Sequence, residues 1–589
     1  MPTPRLLIVV LLAVACANVV HADTQNLSSK SQFRRPVGLA LTADDTLLCV
    51  ANRNSGTLSL VDPIKLVVLS EHAVGMSLSA IAALPDQRHV LVTDSAANEL
   101  ILLRVGKQGV DVIQCARVPR HPQAVALSGS SRCFVTSLWG RSVSAFDLST
   151  ADKLRLSPAG TTRLDFAPHK LLPLADHAKL LVAGSFEARV ALLDAGTLRV
   201  DSVRSVPDHN LRGLALSPDG KRVLVAQQTL NEHAHTTQDD IHWGHLSFTL
   251  IRSLSLETVL DPNADLLSGS RLDRVSRPGV GAADPGGIIV DSKSSATLVA
   301  LGGTDEVAIR FTSEHVGRRV PVGRRPTEIV LFEDVRQAFV ANTLSDSISV
   351  IDLPSEAKVA DVSLGPTPKL SALERGEVLF FSSKLSHDRW ISCQTCHTEG
   401  HTNNLVADTL NDGSYRTPKR IPSLLGTRTT APWSWLGKFD TLETQARASI
   451  ETSMHIDDDE VELTDDDVRD LAAYILSLAP PPPFRLPKDD ADRALIARGR
   501  SVFKTQGCVK CHQGTSLTAK RSYDVGIHDT AGNKAFNPPS LVGVGHRPRF
   551  FHDGRTSSLD AVVEQHQYEG KKPISPDELD ALVRYLESL

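Results

Sequence analysis

Between residues 35 and 366 one short unit recurs about every 40 to 46 residues, and that period narrows the possible folds more than any other feature of the chain. Each copy runs from a proline or small-residue turn into an apolar strand, then through a polar turn into a second and a third strand. The first copy reads Pro36-Val-Gly-Leu-Ala-Leu, Leu47-Leu-Cys-Val-Ala-Asn52 and Gly56-Thr-Leu-Ser-Leu-Val-Asp62; the last reads Pro326-Thr-Glu-Ile-Val-Leu-Phe, Ala338-Phe-Val-Ala-Asn342 and Ser347-Ile-Ser-Val-Ile-Asp352. Short alternating strands rich in β-branched residues and bounded by Asp, Gly, Asn and Ser are half-buried sheet strands. Radial repetition hides their edges, which an open sheet of this length could not do. Units begin near residues 36, 78, 122, 163, 210, 283 and 326, so this part is expected to be an all-β propeller of seven blades.

One blade is interrupted. Extra chain between about 229 and 282 holds His233, His235, His242, Trp243 and His245. Imidazoles at this density could bind zinc or copper. No cysteine accompanies them and Asp239-Asp240 is solvent-loving, so a surface or interface loop is the simpler expectation, with a metal or partner site as the alternative. Cys49, Cys115 and Cys133 stand alone on apparent strands and read as buried free thiols.

The last third changes character. Cys393-Gln-Thr-Cys396-His397 and Cys508-Val-Lys-Cys511-His512 are both C-x-x-C-H. With 8 cysteines and 21 histidines in 589 residues, chance would give about 0.004 such matches. Two thiols on one turn can add to the two vinyl groups of a haem, and the histidine that follows is placed to ligate its iron. A zinc or disulfide reading leaves the two histidines unexplained. Covalent haem is therefore expected at Cys393, Cys396, Cys508 and Cys511, with His397 and His512 as proximal iron ligands.

The surroundings repeat too. Arg375-Gly-Glu-Val-Leu-Phe380 precedes the first signature and Arg498-Gly-Arg-Ser-Val-Phe503 the second; Pro422-Ser-Leu-Leu-Gly426 pairs with Pro539-Ser-Leu-Val-Gly543. Each half closes in an amphipathic helix, one capped by Thr464 and Asp467 and the other by Ser575, Pro576 and Glu578. Two all-α c-type cytochrome domains follow, 368–479 and 488–589, joined by a proline-rich spacer at 480–487.

The propeller units resemble the YVTN-type β-propellers, with Val50-Ala-Asn52 and Val340-Ala-Asn342 at the strongest part of that motif. The C-terminal third resembles the bacterial di-haem cytochrome c peroxidase and MauG family. Its landmark W-D-G-R-x-x-x-L-E-x-Q corresponds to Trp435-Leu-Gly-Lys-Phe-Asp-Thr-Leu-Glu-Thr-Gln445, and its F-H-D-G segment to Phe551-His552-Asp553-Gly554. The resemblance implies that Trp435 carries electrons between two haems c and that Gln445 lines the first haem's pocket. It also leaves room for an inter-domain calcium ion.

Distal ligands decide which iron is open. Leu559, Val562, Val563 and His566 share one helical face, and the family places its axial methionine at this offset, so His566 is the candidate for the second haem. For the first, Met454 and His455 are the candidates. The family carries Glu-Met there, whereas Ser453 precedes Met454 here, and Glu451 or Asp457 would need a shifted register to serve as the acid. The acidic run from Asp457 to Asp467 reads as a solvated loop and helix start, with docking of a basic donor as the alternative.

Met1 to Ala22 has the charged start, short apolar run and small-residue end of a secretory signal, with Cys16 a weak lipidation alternative, so export to the periplasm or cell surface is expected and no span in the mature chain. A formal charge of −5 gives no footprint for nucleic acid. The leading functional expectation is a di-haem peroxidase-type oxidoreductase that passes electrons between two haems to reduce peroxide or another small oxidant. Its donor would be a small cytochrome or cupredoxin, and its propeller a docking or substrate platform. A non-enzymatic electron carrier and a propeller dehydrogenase that drains electrons through the haems are the alternatives.

Overall fold

The computed structural model describes residues 33–149, 154–311, 317–457, 461–566, 568 and 571–589. The expected signal segment and Cys16 lie outside them. Seven four-stranded antiparallel sheets follow one another from Pro36 to Ser363, and the rest is helical. Their innermost strands begin at Pro36, Leu78, Pro122, Pro168, His209, Pro285 and Pro326. The fourth blade starts later than its expected place near 163, because Arg155–Arg163 is the outer strand of the third blade, paired with Ser142–Ser149. Outer strands such as Val67–Ala73 alternate between exposed and half-buried residues, so they lack the apolar pattern that marks the inner three.

The Val-Ala-Asn motif has a mechanical role. Asn52 and Asn342 end second strands and are fully buried. Asn52 Nδ2 donates to Ser59 Oγ at 2.8 Å and Asn342 Nδ2 to Ser349 Oγ at 2.9 Å, tying the second strand to the third from inside the blade. The ring closes between complete blades. Leu39, Leu48 and Val50 of the first share a core with Phe339, Ala341 and Ile348 of the seventh, and Thr343 Oγ1 donates to Pro36 O at 2.7 Å. Much of the presumed insertion belongs to the fifth blade, since Ser247–Ser255 and Arg271–Arg274 are its third and fourth strands. The true excursion is 231–246, which carries the short helix Gln238–His242.

The helical part is built twice from the same parts. Helix Ala372–Phe381 crosses Asp465–Ser477, and Asp490–Thr505 crosses Pro576–Glu587. A Cβ on Gly376 would lie 1.9 Å from Asp470 O, and one on Gly499 1.9 Å from Ala581 O, so each Arg-Gly pair of the repeat marks a backbone-to-backbone crossing. Capping boxes at Ser371, Thr464 and Ser575 start three of these four helices. The repeated Pro-Ser-Leu-x-Gly segments meet the spacer. Gly426 (φ +75°) and Gly543 (φ +65°) sit in the left-handed region, with Pro480 and Pro481 within 2.8 Å of where their Cβ atoms would lie.

One mouth of the propeller is closed by the first helical unit. Arg35, Asp284 and Arg325, each just ahead of an inner strand, and Asn210, the second residue of another, adopt positive φ, and their side chains reach the first helical unit or one another at that mouth. Arg35 Nη2 donates to Glu377 at 2.7 Å, Thr398 Oγ1 donates to Asn210 Oδ1, and Arg325 bridges Asp284 at 3.0 Å and Glu399 at 3.1 Å. His209 Nε2 donates to Thr395 O at 2.9 Å, inside the first C-x-x-C turn. Among the described residues no helix is long and apolar enough to cross a membrane.

Candidate functional site

Cys393–Cys396 forms a single helical turn that His397 ends. Both thiols and the imidazole line one cavity. His397 Nδ1 is 2.9 Å from Pro422 O; a carbonyl only accepts, so Nδ1 carries the proton and Nε2 keeps its lone pair. Burial lowers this imidazole to about 4 and pushes both thiols up to about 12. The second signature repeats the device on the turn Cys508–Lys510, with His512 Nδ1 donating to Leu517 O at 2.9 Å and burial lowering His512 to about 4. A thiol pair beside a neutral histidine, held by its Nδ1 and free at Nε2, is the donor set that haem c requires.

Three parts of the chain wall the first cavity. The propeller supplies Leu230, Thr236 and Leu246, the first helical unit Leu442, Gln445 and Met454, and the second unit Asn537, Pro538 and Arg547. Arg420 and Arg547 also line it. Burial, reinforced by the neighbouring Arg547 charge, lowers Arg420 to about 9, and burial alone lowers Arg547 to about 10. Neither forms an ion pair with a carboxylate among the described residues; Arg547 donates to Ser540 O at 2.7 Å. Two desolvated guanidiniums without an acid fit an anionic ligand, and the haem carboxylates supply one. The cavity therefore suits the group that the two thiols and His397 anticipate.

Trp435 stands at the joint between the two units. Its Nε1 donates to Arg420 O at 2.7 Å and the Arg420 guanidinium lies 5.1 Å from its ring centre. Arg420 in turn donates from its amide to His552 O at 2.6 Å and from Nε to Phe551 O at 3.2 Å, both in the second unit. Gln445 Nε2 donates to Ser449 Oγ at 3.0 Å, while its buried Oε1 has no partner. The turn after it, Ser449–Ser453, is a π-helix, a widening often found at functional sites.

The two distal candidates of the first site separate. Met454 is buried and lines the cavity. His455 is turned toward the propeller, its Nε2 2.7 Å from Thr236 O, and is not among the lining residues. Glu451 is half-exposed and paired with Arg447. Among the described residues the one acid lining the cavity is Asp412; burial alone would raise its pKa, but Lys419 and Ser414 outweigh that and hold it below the usual range. In the second unit, His566 caps Leu559–Gln565, its Nδ1 is buried without a partner, and burial with the nearby His512 charge lowers it to about 4. Between the units, Lys419 Nζ bridges Asp412 and, at 3.2 Å, Asp529; no cluster of three or more acids or histidines converges there among the described residues.

Residues 371–475 match the model of the di-haem cytochrome c peroxidase family. The first helical unit resembles that family. Cytochrome c551 peroxidase of Pseudomonas aeruginosa is 26% identical over 301 residues, covering 42% of this chain and 87% of that protein. The methylamine utilization protein MauG of Methylorubrum extorquens is 27% identical over 285 residues, covering 38% and 78%. Among solved structures, hydrazine synthase of Kuenenia stuttgartiensis aligns with a TM-score of 0.47 at 18% identity, over 56% of this chain and 99% of that one. The protein is thus a di-haem oxidoreductase region joined to a seven-bladed propeller. Arg420, Arg547 and the propeller wall residues escape sequence reading, because no motif spacing marks a cation or an apolar side chain contributed across a domain joint.

Proposed function

We propose that the chain is an exported di-haem c oxidoreductase that reduces peroxide or another small oxidant at the first site with electrons from a small cytochrome or cupredoxin. The observation that carries this reading is the joint at Trp435, whose indole spans from the first cavity to Arg420 and through it to Phe551 and His552 of the second unit. Haem bound at Cys393, Cys396 and His397, and again at Cys508, Cys511 and His512, would supply two one-electron centres. His397 and His512 are oriented by their Nδ1 protons, Arg420 and Arg547 would hold the haem carboxylates, and Leu230 and Leu246 would present an apolar wall to the bound group. Gln445 offers its free Oε1 to a proton-bearing oxidant. His566 is the proposed second-site ligand.

One observation favours the non-enzymatic carrier as a second reading. Cleaving peroxide needs a proton donor beside the iron, and the lining acid is tied to Lys419, while Met454 lines the same cavity and would be available as a sixth ligand. Hydrogen peroxide turnover with a reduced cytochrome or artificial donor decides between them, read together with the spin state. Turnover with a high-spin signal supports the peroxidase; two low-spin haems at every potential and no turnover support the carrier.

A further inference from the structure

The excursion that leaves the fifth blade ends against the first helical unit, and three potential ligands meet at that seam. His242 comes from the propeller, and His387 and Asp388 from the turn that leads to the first signature. Their ligand atoms all lie within 4.8 Å of one another. His242 Nδ1 is 2.6 Å from Asp388 Oδ2, and His387 Nε2 is 3.3 Å from the same oxygen. The other imidazoles of the excursion take no part: His233 and His245 are exposed, and His235 stacks on Tyr415 at 4.2 Å.

The second shell is built as well. His387 Nδ1 bonds Asp457 Oδ1, and Asp457 Oδ2 accepts from the Asp388 amide at 2.8 Å. Asp457 is therefore engaged here. With its Nδ1 proton committed to Asp457, His387 presents a lone pair at Nε2 toward the Asp388 oxygen, and two acceptors facing each other need a cation between them. A carboxylate that holds one ring nitrogen of a ligating histidine is the recurrent support of zinc sites. Two imidazoles and one carboxylate select a late first-row divalent metal over calcium or magnesium, with a fourth position left for water.

We propose that His242, His387 and Asp388 form a Zn2+-class metal site that clamps the propeller to the first helical unit. The clamp sits close to the first cavity, because the His387 amide donates to Met454 O at 2.9 Å. The alternative that this proposal must exclude is a doubly protonated His387 serving as its own cation between Asp388 and Asp457, in which case no metal is taken up.

The test uses the full chain with both haems loaded, stripped by a chelator, titrated with Zn2+ and analysed for zinc against iron. One zinc per two irons is expected in the wild type. His242→Ala and Asp388→Asn should each weaken zinc binding at least tenfold with iron content unchanged, the Asn variant keeping the shape of the turn should the Ala variant misfold. A double variant, His233→Ala with His245→Ala, should bind as the wild type does. Zinc uptake that is absent from the wild type, equal in the Asp388→Asn variant, or lost only in the His233/His245 variant overturns the site.

Discussion

Replacing Arg420 by Met should have opposite signs in the haem-free and haem-loaded protein. In the bare polypeptide the guanidinium is 3% exposed, has no acid partner, and is lowered from 12.5 to about 9 by burial and by Arg547. At 1.36 kcal/mol for each tenfold change in acidity, its burial costs about 4 to 5 kcal/mol at neutral pH. Methionine removes that cost, loses the bond to Phe551 O and the contact with the Trp435 ring, together about 2 kcal/mol, and leaves a net gain of about 2 to 3 kcal/mol. With haem bound, the same substitution strands a buried carboxylate, which costs about 3 kcal/mol or more. Guanidinium-induced loss of helical circular dichroism, measured on protein made with and without cytochrome maturation, reads both. The midpoint potential of the first haem should also fall, because a cation near an iron favours its reduced form. Destabilisation of equal size in both forms would refute the idea that Arg420 awaits an anion.

Other expectations follow from single contacts. His566→Ala should alter the spectrum of the second haem alone; an unchanged spectrum removes His566 as a ligand. Trp435→Ala should slow electron transfer between the haems in a photoreduction experiment while both remain attached, and equal rates would leave the indole without that role. Gly376→Ala should lose about 2 to 3 kcal/mol despite alanine's better helix propensity, since its Cβ would overlap Asp470 O; a more stable variant would mean the helices can part freely. Glu399 is held at about 2, because Arg325 and Arg212 outweigh the burial that would raise it. Its folded value lies below its usual 4.5, so the stabilisation is present above pH 4.5 and lost as pH falls toward 2. With the side chain about one-third exposed, screening leaves about 1 kcal/mol. Glu399→Gln should flatten acid unfolding across that window, and an unaltered acid limb would discount the pair.

How much of this could be read in advance depends on the range of the interaction. Seven blades are legible because the inner strands carry local alternation and a repeated Asn, whereas the fourth begins at Pro168 and not near 163 because Arg155–Arg163 is an outer strand with almost no buried face. The C-x-x-C-H turns, the capping residues Thr464 and Ser575 and the paired Gly376 and Gly499 are local or repeated, and each repetition doubled the signal. Met454 and His455 stayed unresolved in the sequence because adjacent residues differ only in direction. The left-handed turn at His455 (φ +48°), which sends it to Thr236, is set by a propeller loop more than two hundred residues away. His387 and Asp388 carry no motif at all, and only the fold brings them to His242.

That long-range dependence bears on what the propeller does. Expected as a platform for partners, it has one mouth closed by its own chain: Arg35, Asn210, Asp284 and Arg325 are spent on Glu377, Thr398 and Glu399, and His209 grips the first haem-binding turn itself. Burying such polar groups is costly unless each finds its partner, and here the first, fifth, sixth and seventh blades supply them from residues of positive φ at or next to the start of the inner strand. The central channel beyond that mouth is bridged by Lys170 and Glu328 at 2.7 Å. Leu230, Thr236 and Leu246 then complete the wall of the first cavity. A propeller arranged in this way helps to shape one redox site, whereas the second signature is met by the first helical unit, with Thr429 bonded to Ser516 and Ser522 Oγ donating to Leu436 O at 2.9 Å, so the two haems are expected to differ in environment even though their attachment turns are copies of one another.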